Sequence, residues 1–394
     1  MENWINREEK TLLNTYNRMP LVVSYGKGCY LYDDTGKEYL DMFSGLAVNA
    51  LGHCHPELVR EGKEQLERHL HISNFFYCKQ GIELGEALIK RSFPGKVFFT
   101  NSGTEGVEAA IKYLFKIGEK KGKRGIVALS GSFHGRTLGA LGLTKIPSVS
   151  QNFPQVNYPV HEVSRGVLKD LEVLFAKERP VGIILELVSG SGGIEVIPQE
   201  DMKMISDLCE KYDVVLCIDE IQTGIGRTGK FFAYQLYDLK PDLVIFAKAV
   251  GGGSPLGGLV VHERIDGYFQ PGDHGTTFGP NPLSAAMGRK TLEIIDENFL
   301  MAVREKGQLL RKGIEILREK FPERLGDIRG EGLMIGIDIK EEPSKLKDHF
   351  LKHQVLINIT AKNVLRLLPP LIITESEIQE FLQTFENVLT IKRS

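Results

Sequence analysis

The chain has 394 residues, 42% of them hydrophobic and 25% charged, with a formal net charge of −2. That length provides for two or three domains with large cores, and the near-neutral balance excludes a broadly basic binder of nucleic acid or of anionic membrane. The start, MENWINREEK, is no secretory signal, no apolar run reaches the roughly 18 residues of a membrane helix, and five cysteines form no CxxC pair, so a soluble cytoplasmic protein with reduced thiols is expected.

Within residues 1–50, GCYLYDDTGKEYLDMF alternates apolar and polar residues around Asp33, Asp34, Thr35 and Gly36, as a hairpin does. Between about 95 and 263, six short apolar runs recur: VFFT (97–100), GIVALS (125–130), VGIILEL (181–187), VVLCIDE (214–220), LVIFAK (243–248) and GGLVVHE (257–263). Amphipathic helix candidates such as TEGVEAAIKYLFKIGEK and QEDMKMISDLCEKY separate several of them, which predicts an α/β unit with a mainly parallel sheet flanked by helices. From about 290 the chain is helix-rich through LEIIDENFLMAVREKGQLLRKGIEILREKF. It then offers the strands GLMIGIDIK, VLINIT and VLRLLPPL and a final helix, SEIQEFLQTFENVLTI, as a separate α+β lobe.

Ligands of such sheets bind outside the carboxyl ends of the strands. Lys248 stands there at the end of the apolar run in LVIFAKAVGGG (243–253), where an ammonium needs a partner, a task, or a route for its head to reach water. In FFTNSGTEGVEAAIK (98–112), Ser102 and Glu105 fit a capping box, and Ser102, Gly103 and Thr104 put hydroxyls and N–H groups at a helix start suited to phosphate. Asp219 closes the run VVLCID. The GIGRTGK that follows imitates nucleotide-binding loops, but Phe231 stands where a P-loop has Ser or Thr, and Asp219 and Glu220 would repel a pyrophosphate. GSFHGRTLGAL (131–141) presents Phe133, His134 and Arg136, and Arg136 can clamp a carboxylate. His53, His55 and His134 lack a second ligand pair, so no metal is expected. The loop GDHGTTFGPNPLSAA (272–286) offers Thr276 and Thr277 before a helix with Pro282 in its first turn.

A strand-end lysine, a strand-end aspartate, a phosphate-ready helix and an aromatic ring belong together in pyridoxal 5′-phosphate (PLP) chemistry, where a lysine forms the Schiff base and a carboxylate keeps the pyridine nitrogen protonated. The motifs NSGTE, FHGRT, DEIQTGIGRTG, FAKAVGGG and HGTTFGPNP, in this order, resemble the class III aminotransferases of fold type I, and the similarity runs from NTYNRMPLVVSYGKGCYLYDDTGKEYLDMFSGLAVNALGHCHP (14–56) to LRLLPPLII (365–373). NTYNR, SGLAVNALGHCHP and FHGRTLGAL are most similar to the acetylornithine branch. The resemblance implies a large PLP-binding domain at 51–290 and a small domain built from 291–394 with the segment 1–50. It makes Lys248 the Schiff-base lysine and proton carrier, Asp219 the partner of the pyridinium nitrogen, Gln222 a hydrogen-bond donor to the phenolic oxygen and Phe133 the stacking ring. Ser102, Gly103 and Thr104 would hold the phosphate together with Thr277 of a second subunit, which implies a homodimer with shared sites. Arg136 and Thr276 would meet the amine substrate and Arg366 the α-carboxylate of 2-oxoglutarate, in a reaction of arginine biosynthesis.

One stretch departs from that pattern. Where the family usually reads E-P-x-Q-G-E-G-G, this chain reads ELVSGSGGIEV (186–196), with Ser191 in place of a glutamate that pairs with the arginine corresponding to Arg366. The expectation is that another acid, such as Glu195, takes over, or that the chain accepts a different amine donor. Pro280, in FGPNP, replaces a more usual glycine.

Overall fold

The computed structural model describes residues 2–154 and 156–391. Its centre is a seven-stranded sheet in the order Gly95–Thr100, Gly257–His262, Leu243–Ala247, Val215–Asp219, Gly182–Leu185, Ile126–Leu129, Val160–Val163. Gly257–His262 runs antiparallel to both of its neighbours, whereas the pairings among the last five strands are parallel. Six strands therefore end at one edge. Residue alternation divides the core: Val127, Leu185, Ile218, Val244 and Phe246 pack on one face, and Ala128, Ile184, Cys217, Leu243 and Ile245 on the other. Helix Gly103–Lys121 covers the second face with Val107, Ala110, Ile111 and Leu114, while Gln199–Tyr212 and Pro282–Ile294 cover the first with Met202, Ile205, Ala285 and Leu292. Burial on both faces accounts for runs as uniformly apolar as LVIFA, each large side chain contributing about 1.5–3 kcal/mol.

All six expected runs of the sheet are strands. The seventh, Val160–Val163, is an edge strand of four residues whose V-H-E-V pattern is too short to stand out. The hairpin is present as Tyr30–Asp33 and Glu38–Asp41, and the Asp33 carboxylate fastens its turn by accepting from Thr35 N at 2.9 Å, Thr35 Oγ1 at 2.7 Å and Lys37 N at 3.0 Å. Val355–Leu356 adds in parallel beside Glu38–Asp41, so the two ends of the chain share a sheet. A further sheet, Leu325–Glu331, Met334–Ile339, Val364–Leu367, Asn358–Thr360, includes a strand the sequence hides: LGDIRGE has two glycines and three charges, and its register shifts between Leu325 and Ile328. The helical stretch after 290 is broken at Asp296, whose side chain accepts from Phe299 N at 2.8 Å and starts helix Glu297–Lys320.

Ser44–Ala47 is a left-handed turn with φ of 44°, 62°, 64° and 70°. Such backbone costs about 1–2 kcal/mol for each residue other than glycine. Asp41 Oδ1, accepting from Phe43 N at 3.0 Å and Ser44 N at 2.8 Å, and Ser44 Oγ, donating to Leu368 O at 2.6 Å, hold it in place. No helix among the described residues is long and apolar enough to cross a membrane.

Candidate active site

A cavity of about 420 Å³ opens at the edge where the six strands end. Its wall collects one group from each of five strand ends: Ser102 after Gly95–Thr100, Phe133 after Ile126–Leu129, Glu186 after Gly182–Leu185, Asp219 ending Val215–Asp219, and Lys248 after Leu243–Ala247. A larger cleft of about 1100 Å³ lies by helices Pro56–Arg68, Lys79–Arg91 and Pro282–Ile294, but its Arg289 is held by Glu61, Glu83 and Glu293, and none of the strand-end groups reaches it.

Ser102 caps the helix Gly103–Lys121, accepting from Glu105 N at 3.4 Å. The expected capping box is shifted by one residue, because the Glu105 carboxylate returns to Asn101 N at 2.7 Å and Asn101 Nδ2 at 3.0 Å. A Cβ on Gly103 would fall 2.7 Å from Ile221 Cδ1, so a larger residue there would push the Ile221 side chain aside where the helix start meets the Asp219 loop. The first N–H groups of any helix lack carbonyl partners and carry its positive end, which makes this wall attractive to an anion.

Asp219, 3% exposed, accepts from Ile221 N at 3.0 Å and lies 2.7 Å from His134 Nδ1. Carboxylate oxygens can accept more than one hydrogen bond each, so Asp219 keeps capacity toward the cavity. Glu186 is also buried; it accepts from Phe133 N and Gly190 N, both at 3.0 Å, and burial raises its pKa. Glu220 points to the opposite face, takes Tyr234 N at 2.8 Å and Thr223 Oγ1, and is pushed up to about 7 by burial.

Lys248 has φ of 55°, a left-handed conformation rare outside glycine and asparagine. Among the described residues its amine makes no hydrogen bond or ion pair, though the side chain lines the cavity. Burial, and then the cation of Arg366, lower its pKa to about 8, while Asp219 and Glu186 pull the other way.

Gln222 and exposed Arg136 line the same space, with the Arg136 guanidinium 5.6 Å from the Phe133 ring centre. Arg366 sits behind the wall: it is 5% exposed, donates through Nη1 to Gly190 O at 2.9 Å, and reaches Gln222 Oε1 at 3.4 Å. Ser191 is in the wall itself. Glu195 is not the substitute acid: it is half exposed and pairs with Arg329 at 2.9 Å, because the short ladder Val188–Ser189 with Glu195–Val196 turns it toward that arginine. Thr276 Oγ1 takes Asn101 Nδ2 at 3.0 Å, beside the cavity but not in its wall, and Thr277 is exposed and outside it. Residues of GIGRTG do structural duty, since buried Arg227 donates to Leu333 O at 3.0 Å and Pro369 O at 2.6 Å. Sequence reasoning missed the contact of His134 with Asp219, 85 positions away, and the presence of Asn358 beside Arg366.

Residues 12–389 match the family described as Aminotransferase class-III. The acetylornithine aminotransferase of Caldanaerobacter subterraneus subsp. tengcongensis is 42% identical, over 98% of this chain and 99% of that protein. That of Aquifex aeolicus is 41% identical, over 96% and 99%. Among solved structures, ornithine aminotransferase of Toxoplasma gondii, with PLP at partial occupancy in its active site, superposes with a TM-score of 0.93 at 25% identity, covering 98% of this chain and 94% of that one. With a family match over nearly its whole length and its strand-end groups gathered around one cavity, the chain belongs to the class-III aminotransferases.

Proposed function

We propose that this chain transfers the terminal amino group of N²-acetyl-L-ornithine to 2-oxoglutarate, giving N-acetyl-L-glutamate 5-semialdehyde and L-glutamate. The observation that carries this reading is the meeting, in one cavity, of a Lys248 amine that has no partner among the described residues with the buried Asp219 carboxylate. The substrate comes from the acetylornithine aminotransferases to which the chain is similar.

The residues present fit PLP: the helix start at Ser102–Thr104 suits its phosphate, Asp219 its ring nitrogen, and Lys248 its carbonyl carbon. When bound, PLP supplies an aldehyde that takes up the amino group and a ring that accepts the electron pair left by C–H deprotonation. The chain does the rest. Asp219, oriented by His134, keeps a proton on the ring nitrogen. Lys248, its amine about half deprotonated at pH 8, takes the proton from the substrate carbon and returns it. Phe133 covers the ring face, and Gln222 donates to the phenolic oxygen. Arg136, with Thr276 nearby, holds the carboxylate of the amine donor, and Arg366 that of 2-oxoglutarate.

We assign residues 51–290 to the large domain and 291–394, with 1–50, to the small one; the sheet shared by Glu38–Asp41 and Val355–Leu356 supports the second grouping. A cytoplasmic homodimer is part of the proposal. Phe75 (94% exposed) and Tyr77 (95%) follow Asn74, whose Nδ2 donates to Thr276 O at 2.7 Å, so the Thr277 loop and an exposed apolar segment form one surface for a second copy to cover. Ser191 favours one alternative, a class-III enzyme with another terminal amine as donor. A panel of amines with 2-oxoglutarate, read as glutamate formed, decides between them: preference for N²-acetyl-L-ornithine supports the first, and preference for a different amine refutes it.

A further inference from the structure

We infer that Asn358 is a positioning residue for Arg366: its amide fixes the guanidinium without cancelling its charge, so an incoming carboxylate meets a cation that has no ion pair to break. The inference rests on the proposed use of a dicarboxylate keto acid, and it concerns how that acid is recognised.

Asn358 and Arg366 are direct partners on antiparallel strands, which places both side chains on one face of the sheet. Asn358 Oδ1 accepts from Arg366 Nε at 3.0 Å and Nη2 at 2.7 Å, so a single neutral oxygen occupies the edge of the fork that a carboxylate would bridge. At the other end Nη1 meets Gly190 O at 2.9 Å and Gln222 Oε1 at 3.4 Å. All of these acceptors are neutral. The nearby acids are engaged elsewhere, Glu186 with Phe133 N and Gly190 N, and Glu195 with Arg329. Arg366 is thus a buried, oriented cation with no ion-pair partner among the described residues. The long contact to cavity-lining Gln222 marks Nη1 as the end that can turn to a ligand. A carboxylate at position 358 would satisfy the fork permanently and compete with substrate. A neutral amide orients the fork and leaves its field open.

The test uses PLP-loaded enzyme and glutarate, an unreactive dicarboxylate whose binding is followed through the cofactor absorbance. Asn358→Asp, nearly isosteric, should weaken glutarate at least about tenfold, a size common for close charge pairs, and raise the KM for 2-oxoglutarate far more than that for the amine donor. Asn358→Ala, which loosens the fork but adds no charge, should weaken glutarate only about threefold, less than a full hydrogen bond is worth. Ser191→Glu, which brings a carboxylate to the same guanidinium from the Gly190 side, gives a second charged variant should Asn358→Asp fold poorly, and should also weaken glutarate. Binding by both charged variants within twofold of wild type would overturn the inference, as would equal weakening by Asn358→Asp and Asn358→Ala. Because glutarate binding is read without turnover, a wild type that rejects N²-acetyl-L-ornithine removes the donor assignment and leaves this result standing.

Discussion

Replacing Lys248 by methionine should make the cofactor-free protein more stable at neutral pH. The amine of Lys248 has no partner among the described residues, and burial together with the Arg366 cation lowers its pKa from 10.5 to about 8. At about 1.4 kcal/mol per pH unit the difference amounts to about 3 kcal/mol against the charged form, and water in the cavity screens part of it, leaving about 1–3 kcal/mol. The sign follows from where the proton sits. Below about pH 8 both folded and unfolded chains carry the ammonium, and the folded chain bears the full cost. Between about 8 and 10.5 the folded chain has released its proton and the cost fades; above 10.5 neither state is charged and it is gone. Methionine keeps the length of the side chain without the charge, and the φ of 55° is common to both proteins and cancels. Urea midpoints of the cofactor-free proteins at pH 7 and pH 10.5 measure the effect. A variant less stable than wild type at pH 7, or a gain of equal size at both pH values, would refute the reasoning. The same substitution should abolish transamination, a case of stability given up for function.

Three further substitutions probe the site. Asp219→Asn keeps the shape but removes the negative charge beside His134, and should lower kcat by about 10²–10⁴-fold, the usual scale for a lost acid–base partner, in steady-state assays of PLP-saturated enzyme. Arg366→Lys substitutes a point charge that cannot span Asn358 and Gly190 together; the KM for 2-oxoglutarate should rise about ten- to a hundredfold, read against an unchanged order of amine donors. Glu195→Gln should leave amine-donor preference as it is, because Arg329 retains Asp338 at 2.9 Å and Glu195 does not reach Arg366; an altered preference in the donor panel would return Glu195 to the site.

What the sequence disclosed follows from how locally each feature is encoded. LVIFA and VLCID read as buried strands because both faces of the sheet are covered, and QEDMKMISDLCEKY reads as a helix because Met202, Ile205, Leu208 and Cys209 fall on one stripe. The ends of such strands point to the cavity, so Lys248, Asp219 and Ser102 were accessible from pattern alone. Val160–Val163 and Leu325–Glu331 were not, since an edge strand is specified by its neighbours and a bulged, charged one has no period to detect. The left-handed turn Ser44–Ala47 left no signal either: only Gly45 invites that backbone, and what stabilises it is Asp41 and the carbonyl of Leu368, 324 positions from Ser44.

The pairings that tune the site were equally out of reach, and they explain why its charges must be considered together. His134 holds Asp219, Glu186 is spent on backbone N–H groups, and Asn358 holds Arg366 without neutralising it. The Arg366 charge that would attract a carboxylate is therefore also, after burial, the leading influence lowering the pKa of the Lys248 amine. An acid placed against Arg366 would weaken both effects at once, dulling recognition of the keto acid and returning Lys248 toward its protonated form. A neutral acceptor at position 358 avoids that conflict, so the residue that orients the guanidinium also preserves the reactivity of the lysine.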